Sequence, residues 1–253
     1  MHPLELRQSI MQVGEMQQTD TARQHLSELM KSGELAIIPV GFRCFTKIEL
    51  EKQLGVDQET LVFDNGFFPP VAVARLLAGK TVDLDAGHTA CIKFENHVDG
   101  NNGLGIRFVS STYSEIDQLA TSPDLPEINR FLDSTFGYYT LDVANRYVLA
   151  HYNWHSFGAV GDRVHNVAEN VAATSEILTR RLERIMQRCY NARSILFVLG
   201  ETQGYQYMQI DDEVHDLHNF APIAQTTHDL FGEKCKLVTL AEIASAEDAI
   251  ALL

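Results

Sequence analysis

Apolar residues at 4–31 fall closer to helical than to strand spacing, with Leu4, Leu6, Ile10, Met11, Val13, Met16, Leu26, Leu29 and Met30 set among Gln, Glu and Arg. This predicts two helices, interrupted near Thr19-Asp20-Thr21, that pack on a main domain or serve self-association. The pattern then changes. Leu35-Ala36-Ile37-Ile38-Pro39-Val40 is a short apolar run, followed by Gly41 and a stretch from Phe45 to Leu54 that ends at Gly55. It reads as strand, turn and helix, with Cys44 at the turn and Gly55 as the helix stop.

Further along, Leu61-Val62-Phe63 is broken by Asp64-Asn65-Gly66 before Pro69-Pro70 opens a helix through Leu77; proline suits the first helical turn. Asp99-Gly100-Asn101-Asn102-Gly103 marks a turn between Ala90–Phe94 and Gly105–Val109, the two arms of a hairpin. A helix is expected from Ser122-Pro123-Asp124 to Phe136-Gly137, and a strand over Arg146–Ala150 leading to His151. From Asp162 to Tyr190 the residues Val164, Val167, Val171, Ile177, Leu178, Leu182, Ile185 and Met186 give one broad apolar face, the clearest helix of the chain. Strands over Ser194–Leu199 and Lys236–Leu240 and a closing helix over Ala241–Leu252 complete the pattern. Strands separated by helices predict an α/β fold: a central, largely parallel sheet covered by helices over 34–253, with 1–33 as an N-terminal helical extension.

Composition narrows the picture. The chain has 253 residues, 45% of them hydrophobic and spread along its length, enough for one sizeable core without disulfides or metal. Its formal charge is -14, from 34 acidic against 20 basic residues, which repels phosphate backbones and anionic lipid surfaces. Nucleic acid is therefore a poor partner. The four cysteines, at 44, 91, 189 and 235, form no CxxC pair, so free thiols in a reducing compartment, the cytoplasm, are expected. Residues 1–16 lack the continuous apolar core of a secretory signal, and no run of 18 apolar residues predicts a membrane span.

The candidate chemistry centres on Cys44. In Pro39-Val40-Gly41-Phe42-Arg43-Cys44-Phe45-Thr46 the thiol sits on a glycine-containing turn at a helix N-terminus. There exposed amides, the helix dipole and Arg43 favour the thiolate, and the same amides can hold an oxyanion. The competing reading is a small buried hydrophobe closing the strand-to-helix junction. A nucleophilic thiol needs a base, and Val148-Leu149-Ala150-His151-Tyr152-Asn153-Trp154-His155 runs a strand into a polar, aromatic loop. His151 is the first candidate and His155 the alternative; either could also be a hydrogen-bonded structural histidine. Asp64 is the first choice to orient the imidazole, with Asn153 as an amide orienter and an Asx turn as the plain use of Asp64.

Two other readings compete. His151 and His155 are four apart, and Asp211-Asp212-Glu213-Val214-His215-Asp216-Leu217-His218 is rich in potential ligands. Such a histidine pair serves one metal only on a helix, and the acidic run reads better as a solvated turn, so no metal is expected. Arg180, Arg181, Arg184 and Arg188 form one basic stretch of helix: either a solvated face pairing with Glu176 and Glu183, or an anion site. The nucleotide-loop motifs GxGxxG and GxxxxGK[ST] and the serine-hydrolase motif GxSxG are absent.

The stretch Ile37-Ile38-Pro39-Val40-Gly41-Phe42-Arg43-Cys44, then Phe63-Asp64, resembles the "hydrophobic-G-x-x-C … F-D" opening of a bacterial family of uncharacterised proteins described as papain-like cysteine peptidases. The strand ending in His151 is similar to that family's strand-His segment. Arg180-Arg181-Leu182-Glu183-Arg184 and Ile195-Leu196-Phe197-Val198 resemble its helix and strand motifs. The chain departs from the family pattern at Asn65, at Tyr152 and at Leu199-Gly200. Over residues 35–200 the resemblance implies a thiol enzyme with Cys44, Asp64, His151 and Arg181 as the positions carried over, and a papain-like α+β fold as the alternative architecture. The activity implied is acyl hydrolysis or acyl transfer to a small-molecule, peptide or saccharide substrate. In the transfer case the arginine cluster at 180–188 would suit an anionic cosubstrate such as coenzyme A, with Arg43, Arg181 and Arg184 as the anion-binding candidates; otherwise no cofactor is expected. The alternative function is a non-catalytic binding or assembly protein whose Cys44 turn is structural.

Overall fold

Strand β1 (Leu35–Val40) is buried along its whole length, because it has a helical layer on both faces. It pairs in parallel with β7 (Ser194–Leu199), which pairs in parallel with β10 (Cys235–Thr239), giving a three-stranded sheet in the order β1-β7-β10. The computed structural model describes residues 20–84, 89–112, 114, 138–150 and 167–253. The expected helices over 4–19 and from Ser122 to Gly137 lie outside the described residues.

Side-chain alternation divides this small sheet between two cores. Ala36, Ile38, Val40, Ile195, Phe197 and Leu199 face a core shared with helices α3 (Pro70–Gly79), α4 (Val167–Asn191) and α5 (Ala221–Phe231). Leu35, Ile37, Leu196 and Val198 face a second core, closed by helix α1 (residues 20–32), α2 (Phe45–Leu54) and α6 (Ala246–Ala251). Leu26 of α1 is fully buried there. β1 and Ile195–Leu199 of β7 are therefore uniformly apolar, as strands of a doubly covered parallel sheet should be, while the edge strand β10 exposes Lys236 and Thr239.

The rest of the strands build a larger sheet, and here the expectation of one largely parallel sheet is corrected. Strands β2 (Gly66–Phe67), β3 (Thr89–Asp99), β4 (Gly103–Thr112), β5 (Tyr138–Asp142), β6 (Tyr147–Leu149), β8 (Tyr207–Ile210) and β9 (Glu213–Asp216) lie in the order β2-β6-β5-β3-β4-β8-β9. All neighbours are antiparallel except β4 and β8. The physical reason is connection length: tight turns at 99–103, 142–147 and 210–213 permit only antiparallel neighbours. The β3-β4 hairpin turns at Asp99–Gly103, as its Asp, Asn and Gly residues predict.

Two further corrections concern the C-terminal half. The acidic run 211–218 is not a solvated turn throughout: Asp211 and Asp212 make the turn, Glu213–Asp216 is an edge strand, and His215 is buried. The closing helix over Ala241–Leu252 is split into a 3₁₀ turn at Leu240–Ile243 and α6. Ser245 breaks it by accepting the Asp248 backbone N–H with its side chain, an N-cap that starts a new helix.

The chain leaves the parallel sheet for the larger one after Val40 and again after Leu199, and these two residues are register partners. Helix α2, following β1, covers one face, while α5, on the way from β7 to β10, covers the other. Adjacent parallel strands whose connections depart to opposite faces leave a crevice at their carboxyl ends. The Cys44 turn stands at that crevice.

Candidate active site

Two glycines and one threonine set the Cys44 turn. A Cβ at Gly41 would lie 1.6 Å from Thr46 Oγ1, and one at Gly200 would lie 1.8 Å from the same atom. Thr46, buried in the first turn of α2, thus fills the space that side chains at both strand ends would need. Its hydroxyl donates to the Arg43 carbonyl oxygen at 3.4 Å. Phe42 ties the turn to the larger sheet, its carbonyl oxygen accepting the Phe68 N–H at 3.1 Å. Cys44 is then the N-cap residue of α2, half-buried and carrying a free thiol.

The electrostatics differ from the expectation that Arg43 and the helix start would lower the thiol. Burial pushes the Cys44 thiol above its ordinary value, and the neighbouring Asp64 carboxylate pushes it further the same way. The sulfur's own backbone N–H and Arg43 pull it down, but do not prevail. Arg43 lies over aromatic faces, with its guanidinium carbon 4.9 Å from the Phe67 ring centre, 5.2 Å from Tyr205 and 5.8 Å from Phe42. It also donates to Gln203 Oε1 at 3.4 Å. A cation stacked this way is attracted by ring quadrupoles rather than committed to a passing anion.

Asp64 is no simple Asx turn before Gly66. It lies in a buried 3₁₀ turn, Val62–Asn65, where Oδ2 accepts the Leu61 N–H at 2.6 Å. Burial lifts its carboxyl to about 6, against the opposing pull of that hydrogen bond and of Lys47 and Arg181. Its other oxygen makes no hydrogen bond to the described residues. Next to it, the Asn65 amide donates to the Leu61 and Val62 carbonyl oxygens at 2.8 and 3.3 Å, holding the turn from inside.

The exit of β6 meets this turn. Gly66 pairs with Leu149, and the Ala150 N–H donates to the Asn65 carbonyl oxygen at 2.8 Å. A Cβ at Gly66 would come within 2.1 Å of the Val148 carbonyl oxygen, so glycine permits this approach. His151, His155 and Asn153, the expected base and its alternatives, lie outside the described residues.

The arginines of the basic helix stretch meet different partners. Arg180 is exposed beside Glu176 at 3.7 Å, and Arg181 acts electrostatically on Asp64. Arg184 and Arg188 both bind Glu59 Oε2, at 3.0 and 2.7 Å. Arg43, Arg181 and Arg184 are thus distributed over three surroundings. Sequence reasoning missed Thr46, Gly200 and Lys47; only the recurrence of glycine after both β1 and β7 hinted at them.

Among the described residues no group of three His, Cys, Asp or Glu side chains is placed to hold a metal ion, and no helix is long and apolar enough to cross a membrane. Comparison with protein-family models, with curated proteins and with solved structures gave no match.

Proposed function

We propose that this chain is a thiol-dependent acyl enzyme of the papain-like kind, with Cys44 as nucleophile, His151 as base and Asp64 as the carboxylate that orients the base. The observation that carries this reading is a half-buried thiol at the start of α2, just past the carboxyl end of β1, within electrostatic reach of a buried carboxyl raised to about 6. Perturbed ionisable groups gathered at a topological switch point favour a chemical site over a packing site. Ala150, hydrogen-bonded next to Asp64, is followed directly by His151 in the chain.

In the first half-reaction the sulfur attacks an acyl carbonyl. The S–H proton passes to the imidazole, the S–C bond forms, and the leaving group departs with the proton returned by the imidazole. The first-turn amides of α2 are suited to hold the oxyanion. A water or hydroxyl acceptor then cleaves the thioester and restores the thiol, which makes the protein a hydrolase or a transferase. Incubation with a p-nitrophenyl ester should give a burst of nitrophenol and an acyl mass on the Cys44 peptide. Both should vanish in Cys44→Ala and His151→Ala. Ester turnover that persists in Cys44→Ala would overturn the proposal.

One observation favours a second reading, a binding or assembly protein with a structural Cys44. The thiol is raised rather than lowered by its described surroundings. In that case no acyl adduct forms, and Cys44→Ala retains every ligand interaction of the parent protein.

A further inference from the structure

At the opposite end of the small sheet, where β1 begins and α2 ends, lies an open cleft of about 860 Å³. That volume is within the range of small-molecule sites. Its walls come from α1, from the start of β1, from the loop after Gly55 and from the last turns of α4. It does not include the Cys44 turn.

Charge sets this cleft apart from the rest of a chain of net charge -14. Arg23, Lys31, Arg184 and Arg188 line it against only Asp57 and Glu59. Glu59 occupies one edge of two guanidinium groups, since Arg184 and Arg188 meet at its Oε2. Each guanidinium has five N–H donors, so most of this donor capacity remains for another anion. Arg23 lies across Gly55, whose left-handed backbone (φ 66) and missing side chain make room: a Cβ there would be 2.7 Å from Arg23 Nε. The described residues offer neither Arg23 nor Lys31 an ion pair.

A second, independent observation points to a ligand. Gln58 borders the cleft with only 9% of its surface exposed; its amide oxygen and nitrogen are both sealed from solvent and have no hydrogen-bond partner among the described residues. Its backbone N–H is satisfied by Glu51, so the side chain alone is left wanting. A buried amide with nothing to bind costs about 1–3 kcal/mol, a cost that is relieved when the side chain turns into the cleft onto a polar ligand group.

We propose that this cleft binds a small phosphorylated molecule. The phosphate is held by Arg23, Lys31, Arg184 and Arg188, and a polar group of the remainder is read by the Gln58 amide. Four cations against two carboxylates leave an excess of two positive charges, matching a phosphate monoester of about -1.5 to -2 at neutral pH. The inference stands apart from the thiol chemistry, and Cys44→Ala should bind the same ligand.

Calorimetric titration of the full chain with inorganic phosphate and with AMP, a phosphate monoester, tests it. Saturable binding of AMP is expected, and binding of phosphate alone separates recognition of the anion from recognition of the whole molecule. Arg23→Gln and Lys31→Gln, neither of which breaks an ion pair to the described residues, should each weaken AMP by about tenfold. Gln58→Leu carries a signature that a merely structural residue would not: binding weakens while the melting temperature rises, because an unpaired buried amide is removed. Absence of saturable binding for both probes would overturn the proposal. So would binding unchanged in Arg23→Gln and Lys31→Gln, or a Gln58→Leu protein that melts lower and binds as before.

Discussion

Thr46 and Gly200 share one space: a Cβ on Gly200 would lie 1.8 Å from Thr46 Oγ1, 2.8 Å from its Cβ and 3.0 Å from its Cγ2. The β-branched side chain of Thr46 has few rotamers by which to retreat, and it is buried, so the clash cannot be relieved by a swing into solvent. Gly200→Ala should therefore push α2 away from β7 and cost about 1–3 kcal/mol, as overpacking of a tight site does. Urea denaturation measures the loss. Because α2 carries Cys44 at its first turn, the same variant should alter the reactivity of that thiol; a protein with wild-type stability and wild-type alkylation rate would refute the linkage.

Lys234 closes the carboxyl end of α4. Its Nζ donates to the carbonyl oxygens of Cys189, Tyr190 and Ala192 at 2.8, 3.0 and 2.9 Å, three acceptors left over as the helix ends and the chain turns toward β7. A cation there also complements the helix dipole. Lys234→Met keeps much of the aliphatic stem but strands the carbonyls, and should cost about 1–3 kcal/mol. The midpoint of thermal unfolding checks this, with Lys236→Met on the adjacent exposed strand position as a milder comparison.

Much of the fold was legible where local chemistry decides it. Phe45–Leu54 ends at Gly55 because a left-handed residue was needed there, and the β3-β4 hairpin turns where Asp, Asn and Gly cluster. The partition of strands into two sheets was not legible. An antiparallel strand such as Glu213–Asp216 keeps one face exposed and looks like a charged turn, although His215 on its inner face is buried. The site was half legible for a similar reason. Arg43 stands beside Cys44 in the chain and suggests an activated thiol, whereas only the fold reveals that Arg43 stacks on Phe67 and Tyr205 and that Asp64 acts on the sulfur.

Asp64 makes a claim about stability and pH. Its carboxyl keeps its proton up to about 6 in the folded protein, against an ordinary value of 3.8 in an unfolded chain. Between those values the folded state binds more protons, so the stabilising contribution is full below 3.8 and is lost as pH rises through about 6. Asp64→Asn can keep the hydrogen bond from the Leu61 N–H while removing the buried charge. It should flatten the pH dependence in that window and leave the protein about 1–3 kcal/mol more stable at pH 7. If the variant also loses acyl transfer, the carboxylate is retained for chemistry at the expense of stability. Urea titrations at pH 4 and pH 7 for both proteins decide the matter, and parallel curves would contradict it.

The same carboxylate opposes ionisation of Cys44, while Arg43 assists it. The two charges therefore predict opposite effects on a single measurable rate. Alkylation by iodoacetamide follows the thiolate, so at fixed pH Asp64→Asn should react faster than the parent and Arg43→Gln slower, each by a factor of about two to five. Cys91 and Cys189 are buried, and Cys235, half-buried and also raised, provides an internal reference within each sample. Peptide mapping separates its adduct from that of Cys44. Changes confined to the Cys44 peptide and opposite in sign would establish that the sulfur senses both groups. Changes of one sign at both cysteines would instead report general loosening of the fold, and equal rates in all three proteins would remove Asp64 and Arg43 from any account of thiol reactivity.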